Sequence, residues 1–173
     1  MKRLLLWLPL AFFAAVLALV ASGLIKPADR AIHSALIDKP LPEIDLPPLL
    51  ADKPGIKGGF GGKPRLVNVF ASWCLPCIAE AKQLMKLKEM GVEIDGVATA
   101  DTTPAMQAFL AQNGDPYARI GDDRNRKVQF SLGSAGVPET FVIDGRGRIV
   151  MQHIGDVREE HLPELLAALE AAK

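Results

Sequence analysis

Apolar residues are spaced in three ways along this chain, and each spacing predicts a different element. From Leu4 to Ile25 they are continuous, 22 residues without a charge, preceded by Lys2 and Arg3 and followed by Lys26. Such a run is long enough to span a bilayer's hydrocarbon core as a helix, and the positive flank orients its N-terminus inside. Residues 1–25 are therefore expected to be an uncleaved transmembrane anchor, 26–38 a linker, and 39–173 the folded domain. A cleaved signal peptide is the rival reading. Its apolar core runs about 7–15 residues and ends in an A-x-A-like site, whereas this run is longer and offers only Val20-Ala-Ser22 or Ala21-Ser-Gly23.

The second spacing is the short apolar block bounded by turn residues. Arg65–Ala71, Glu93–Thr99, Tyr117–Ile120, Glu139–Ile143 and Arg148–His153 read as strands, and Asp144-Gly between the last two marks a β-hairpin. The prolines of Lys39–Pro48 favour extended backbone and exclude a central strand, which leaves an edge strand or a bracing segment at Glu43–Leu46. Gly55–Gly62 is a glycine-rich loop without a phosphate-binding pattern.

The third spacing is helical. Leu75–Met90 has Pro76 in its first turn and Gly91 at its end. Thr103 is placed to cap a helix that Pro104 opens and Asn113 closes, and Asp123 to cap a brief one through Leu132. Asp156, with Glu159 three residues on, starts a capping-box-like turn, and Leu162, Leu165, Leu166 and Leu169 share one face of a last helix, with Pro163 interrupting its first turns. The alternation predicts an α/β domain with a mixed sheet.

Composition narrows the function more than the fold. Twenty basic and twenty acidic residues balance, without basic runs, which excludes nucleic acid as a partner class. Two cysteines are too few for a disulfide scaffold, so the pair is chemical. They stand as Cys74-Leu-Pro-Cys77 where a buried strand becomes a helix. Unpaired N–H groups and the positive end of the helix dipole favour a thiolate there, and C-x-x-C sites at helix starts have pKa values from about 3.5 to about 7.5. Cys74 is the candidate nucleophile and Cys77, one turn behind, the resolving thiol. His33, His153 and His161 are scattered and none follows Cys77, so no metal site or covalent haem is expected. A peroxiredoxin Thr-x-x-Cys pattern fails at Ala71.

Taken in order, Lys39-Pro-Leu-Pro, Trp73-Cys-x-Pro-Cys77 with Glu80, Asn113-Gly-Asp-Pro-Tyr117, Gly136-Val-Pro-Glu-Thr140 and His153-Ile-Gly-Asp156 resemble the CcmG/DsbE family. These are membrane-anchored, periplasmic, thioredoxin-like oxidoreductases of cytochrome c maturation. The resemblance implies a three-layer thioredoxin-like fold, a bacterial inner-membrane location with the catalytic domain in the periplasm, and a monomer whose sole redox group is the Cys74–Cys77 disulfide. It implies apocytochrome c or a CcmH-type protein as client and a DsbD/CcdA-type membrane carrier as electron donor. Trp73 would present an apolar surface to the client. Pro138, with a cis bond to Val137, would expose the Val137 backbone to an extended client beside Cys74.

Ordinary thioredoxins carry a buried Asp six residues before the first cysteine; here that position is Asn68, which cannot titrate. Glu80, one turn after Cys77, and Glu139, after Pro138, are the expected acid/base groups, with pKa values raised if buried. Negative charge near Cys74 opposes thiolate formation and suits a reductant. A general periplasmic TlpA-type reductase shares this chemistry with other clients, and a redox-inert thioredoxin-fold adaptor is the non-enzymatic alternative.

Overall fold

The computed structural model describes residues 7–25, 33–58 and 60–173. The chain divides into two compact units, Met1–Ala31 and Ile32–Lys173. In the first, helix α1 covers Leu8–Ile25, uncharged throughout and with exposed apolar side chains such as Phe12 and Leu19. Eighteen residues rise about 27 Å, short of a bilayer core of about 30 Å. Among the described residues no helix is long and apolar enough to cross a membrane. The first residues of the expected Leu4–Ile25 span lie outside the described ones.

The second unit is built on strands β3 (Arg65–Phe70), β4 (Ile94–Thr99), β5 (Arg119–Asp123), β6 (Glu139–Ile143) and β7 (Ile149–Ile154). Among the described residues these form a mixed sheet in the order β5-β4-β3-β6-β7. β3, β4 and β5 are parallel, whereas β6 runs antiparallel to β3 and β7 antiparallel to β6. β1 (Asp45–Leu46) and β2 (Ile56–Lys57), the latter inside the glycine-rich loop, form a separate two-stranded sheet, so the segment at Glu43–Leu46 is a bracing piece rather than an edge strand of the main sheet. β3 is central because every side chain from Leu66 to Phe70 is buried, which only a strand covered on both faces allows.

Helices α2 (Leu75–Glu89), α3 (Thr103–Asn113), α4 (Lys127–Ser131) and α5 (Leu162–Ala171) cover the sheet. α2, α3 and α5 contribute to one apolar layer with Leu66, Phe70, Cys74 and Cys77. Val67 and Val69 point the other way, into a layer with Ile44, Val128 and Phe141. This is the thioredoxin-like three-layer arrangement.

Three local expectations change. The cap of α3 is Thr102, and Thr103 Oγ1 donates instead to the Leu49 carbonyl at 2.9 Å. At the last helix the Arg158 amide donates to His161 Nδ1 at 3.0 Å, so His161 rather than Glu159 closes the turn, and Pro163 falls in the first turn of α5. The expected linker 26–38 is partly folded structure. Ser34 is buried, Leu36 and Ile37 pack on the second layer, and Asp38 N donates to the Ile149 carbonyl at 2.7 Å. Residues 26–32 lie outside the described ones.

Candidate active site

β3 ends at Phe70 and hands the chain through Ala71-Ser72-Trp73 to the start of α2. Cys74 is the N-cap of that helix, and its Sγ accepts from the Cys77 amide at 3.2 Å. The two cysteines are joined in a disulfide, with Cα atoms 5.2 Å apart. Once reduced, a Cys74 thiolate keeps this amide and the positive end of the helix. Cys74 is 4% exposed and lies among apolar side chains that face solvent: Trp73 (56%), Leu75 (78%) and Ile78 (41%). Trp73 Nε1 donates to the Ala100 carbonyl at 3.1 Å, and Asp101 accepts from Ser72 N at 2.6 Å and from Ser72 Oγ at 2.8 Å. The loop after β4 thus holds the turn before the nucleophile, which gives Asp101 its bridging place.

Beneath the disulfide is a buried polar chain. Glu80 is on the buried face of α2 with Cys77, one turn apart. Its Oε1 accepts from Asn68 Nδ2 and its Oε2 from the Val157 amide, both at 3.0 Å. Asn68 also donates to Thr140 Oγ1 at 3.0 Å and accepts from the Tyr117 hydroxyl at 2.8 Å. Burial pushes the Glu80 carboxyl up to about 7, the Val157 and Asn68 hydrogen bonds oppose that rise, and the Asp156 charge adds to it. Burial and then the nearby Glu80 and Asp115 charges raise the Tyr117 hydroxyl well above its ordinary value. Glu80 is therefore a buried carboxyl one turn from Cys77 whose raised pKa suits proton exchange near neutrality, and Asn68 orients it without competing.

The Val137–Pro138 peptide bond is cis. Val69 pairs with Glu139, so this loop enters the sheet beside the end of β3 that leads to Cys74. Glu139 is placed otherwise than expected. Thr140 is opposite Asn68 and bonds it on the α2 side, so Glu139, opposite Val69, projects to the other face. There its Oε1 accepts from Ala135 N at 3.0 Å and Gly136 N at 3.1 Å, and its Oε2 from Gln152 Nε2 at 2.7 Å. Glu80 and Glu139 are divided by the sheet, and Glu139 fastens the loop carrying Val137 and Pro138 rather than approaching the sulfurs.

A model of the Redoxin family matches residues 41–169. The thiol:disulfide interchange protein HelX of Rhodobacter capsulatus is 39% identical over 172 residues, 99% of this chain and 98% of its own length. This chain belongs to the DsbE/HelX family of thiol:disulfide interchange proteins. DsbE of Pseudomonas fluorescens biotype C is 38% identical over 97% of this chain and 94% of its own. A solved Chlorobium tepidum structure assigned to DsbE superposes with a TM-score of 0.63 at 25% identity, covering 80% of this chain and 99% of that one. As a DsbE-type protein with a C-x-x-C disulfide, it is a thiol:disulfide oxidoreductase.

Tyr117 and Thr140, within the motifs that carry the resemblance, have no role assigned from the sequence; both bond Asn68 and reach Glu80 only through it, by contacts that join residues far apart in sequence. Gln152 carries no sequence signal at all. In this DsbE-type protein the folded state holds the Glu80 proton that an unfolded chain loses above about pH 4.5. Stability is therefore expected to fall as pH rises from about 4.5 to about 7 and to change no further through this group, by at most about 3 kcal/mol. Glu80→Gln removes that slope. Urea unfolding of the oxidised protein across pH 4–8 measures it, and parallel curves for variant and wild type would contradict the assignment.

Proposed function

We propose that this protein is an anchored reductant of cytochrome c biogenesis, working in the periplasm as a monomer. The observation that carries the direction is Glu80, a buried carboxyl with a pKa of about 7 on the same helix face as Cys77. A carboxylate there works against thiolate at Cys74 and so favours giving electrons away. The ordered motifs shared with the CcmG/DsbE family support apocytochrome c, or a CcmH-type partner, as client and a DsbD/CcdA-type carrier as donor. The uncharged helix Leu8–Ile25, continued by Leu4–Trp7 in sequence, supports anchoring in the inner membrane.

In the reaction, the Cys74 thiolate attacks one sulfur of the client disulfide and expels the other as a thiolate. Cys77 gives its proton to Glu80 and attacks Cys74 Sγ. The mixed disulfide breaks, the client leaves as a dithiol after protonation, and the two electrons have passed to it as Cys74–Cys77 forms. Trp73, Leu75 and Ile78 receive the client's apolar surface, and the Val137 backbone pairs with its extended chain.

Cys77→Ser expressed in cells is expected to accumulate a mixed disulfide through Cys74 whose partner, by mass spectrometry, is apocytochrome c or its maturation partner. A broad set of trapped proteins would replace this reading with a general reductase, and an absence of covalent adducts would leave the adaptor.

A further inference from the structure

Residues Ser134–Pro138 lead into β6 as a loop outside the strands, and side chains fasten it. Glu139 holds the Ala135 and Gly136 amides on one oxygen and Gln152 Nε2 on the other. Gln152 Oε1 accepts in turn from the Ser34 amide at 2.7 Å. Ser34 is buried, and its Oγ donates to the Leu132 carbonyl at 2.6 Å. Beyond it the chain runs along β7, with Asp38 N on the Ile149 carbonyl and Ile149 N on the Lys39 carbonyl. The loop beside Cys74 is thereby linked to the segment that follows the first unit. In this chain of bonds every donor meets an acceptor, and the Gln152 amide fits in one orientation only, NH₂ toward the carboxylate and carbonyl toward Ser34.

We propose that Gln152 is a positioning residue for client binding, acting through Glu139 to fix Ala135 and Gly136 and with them the Val137 backbone that an extended client pairs with. The inference rests on the client-reducing reading of the site. Main-chain pairing with an extended peptide needs donors and acceptors in fixed places, and a displacement of about 1 Å at such groups is costly. A small disulfide without a peptide backbone makes no such demand. The two substrate types therefore separate positioning from sulfur chemistry.

The test uses the reduced full chain in detergent micelles, mixed in a stopped-flow instrument with a peptide closed by an internal Cys-x-x-Cys disulfide or with hydroxyethyl disulfide. Gln152→Leu is expected to raise the half-saturating peptide concentration roughly ten-fold, leave the rate with hydroxyethyl disulfide unchanged, and speed amide exchange at Ala135 and Gly136. Gln152→Glu, which sets two carboxylates face to face, is expected to do the same. The double variant Glu139→Gln/Gln152→Glu restores wild-type peptide binding. In it the side-chain carbonyl at position 139 still receives both loop amides, the NH₂ beside it donates to the carboxylate at position 152, and that carboxylate still accepts from Ser34. Equal losses with both substrates, no loss with the peptide, or a double variant as poor as Gln152→Glu would each overturn the proposal. A wild type that reduces neither disulfide overturns the reading of the site instead, and this inference with it.

Discussion

Cys74→Ser is expected to lower disulfide reduction by about a thousand-fold or more, to the rate of buffer alone. Two observations single out Cys74 over its neighbour. Its Sγ occupies the N-cap of α2 and accepts the Cys77 amide, so the stabilising dipole and donor act on that sulfur. Cys77 lies inside the helix on the buried face with Glu80, whereas Cys74 stands at its start beside the exposed Trp73 and Leu75. A serine hydroxyl cannot ionise near neutral pH or exchange with a disulfide, so the first step has no substitute. Cys77→Ser keeps that step and stalls at the mixed disulfide, and the difference between the variants is read from adduct formation on a model disulfide. Residual turnover in Cys74→Ser would transfer the nucleophile to Cys77 and reverse the assignment.

The second large effect concerns stability. Asp95→Ala is expected to cost about 3–5 kcal/mol, measured from urea unfolding of the oxidised protein. Asp95 is fully buried on β4, and Arg119 grips both its oxygens, Nε at 2.8 Å and Nη2 at 2.6 Å. Arg65 Nη1 adds a third bond at 3.1 Å. Arg65 also pairs with Glu93 at 2.7 Å, and Arg119 lies over the Phe60 ring and donates to the Gly58 carbonyl at 3.2 Å. Removing the carboxylate leaves two largely covered guanidinium groups without their shared counter-charge. A cost below about 1 kcal/mol would mean that water or Glu93 replaces it. The thiol chemistry of the folded variant should be unchanged, because these arginines belong to β3 and β5 away from α2.

What could be read in the sequence was local. The C-x-x-C pair, Pro76 behind it and Glu80 at helical spacing from Cys77 lie on one short stretch, where period and dipole fix the outcome. Asp123 holds the start of its helix, its carboxylate taking the Val128 and Gln129 amides, but from the end of β5, with Arg126 in the N-cap position. What could not be read was made by partners distant in sequence. Asn68 becomes an orienting group because Glu80 from α2, Thr140 from β6 and Tyr117 from the loop before β5 converge on it. Ser34 belongs to a stretch of weak periodicity and is ordered by backbone bonds along β7 and one buried hydroxyl, which no pattern of apolar positions encodes. Glu139 was misplaced because adjacency to Pro138 says nothing about which face of a strand a side chain takes.

The alternation of Glu139 and Thr140 across β6 has a consequence for how this sequence can change. A slip of one residue against β3 would exchange the two side chains and bring a carboxylate to Asn68, where Glu80 already needs the amide. Two acids would then compete for one proton, and the loop would lose the oxygen that collects its two amides. An insertion or deletion just after Pro138 would therefore damage proton handling and client docking in a single event. Length in that strand is constrained twice over, once from each side of the sheet.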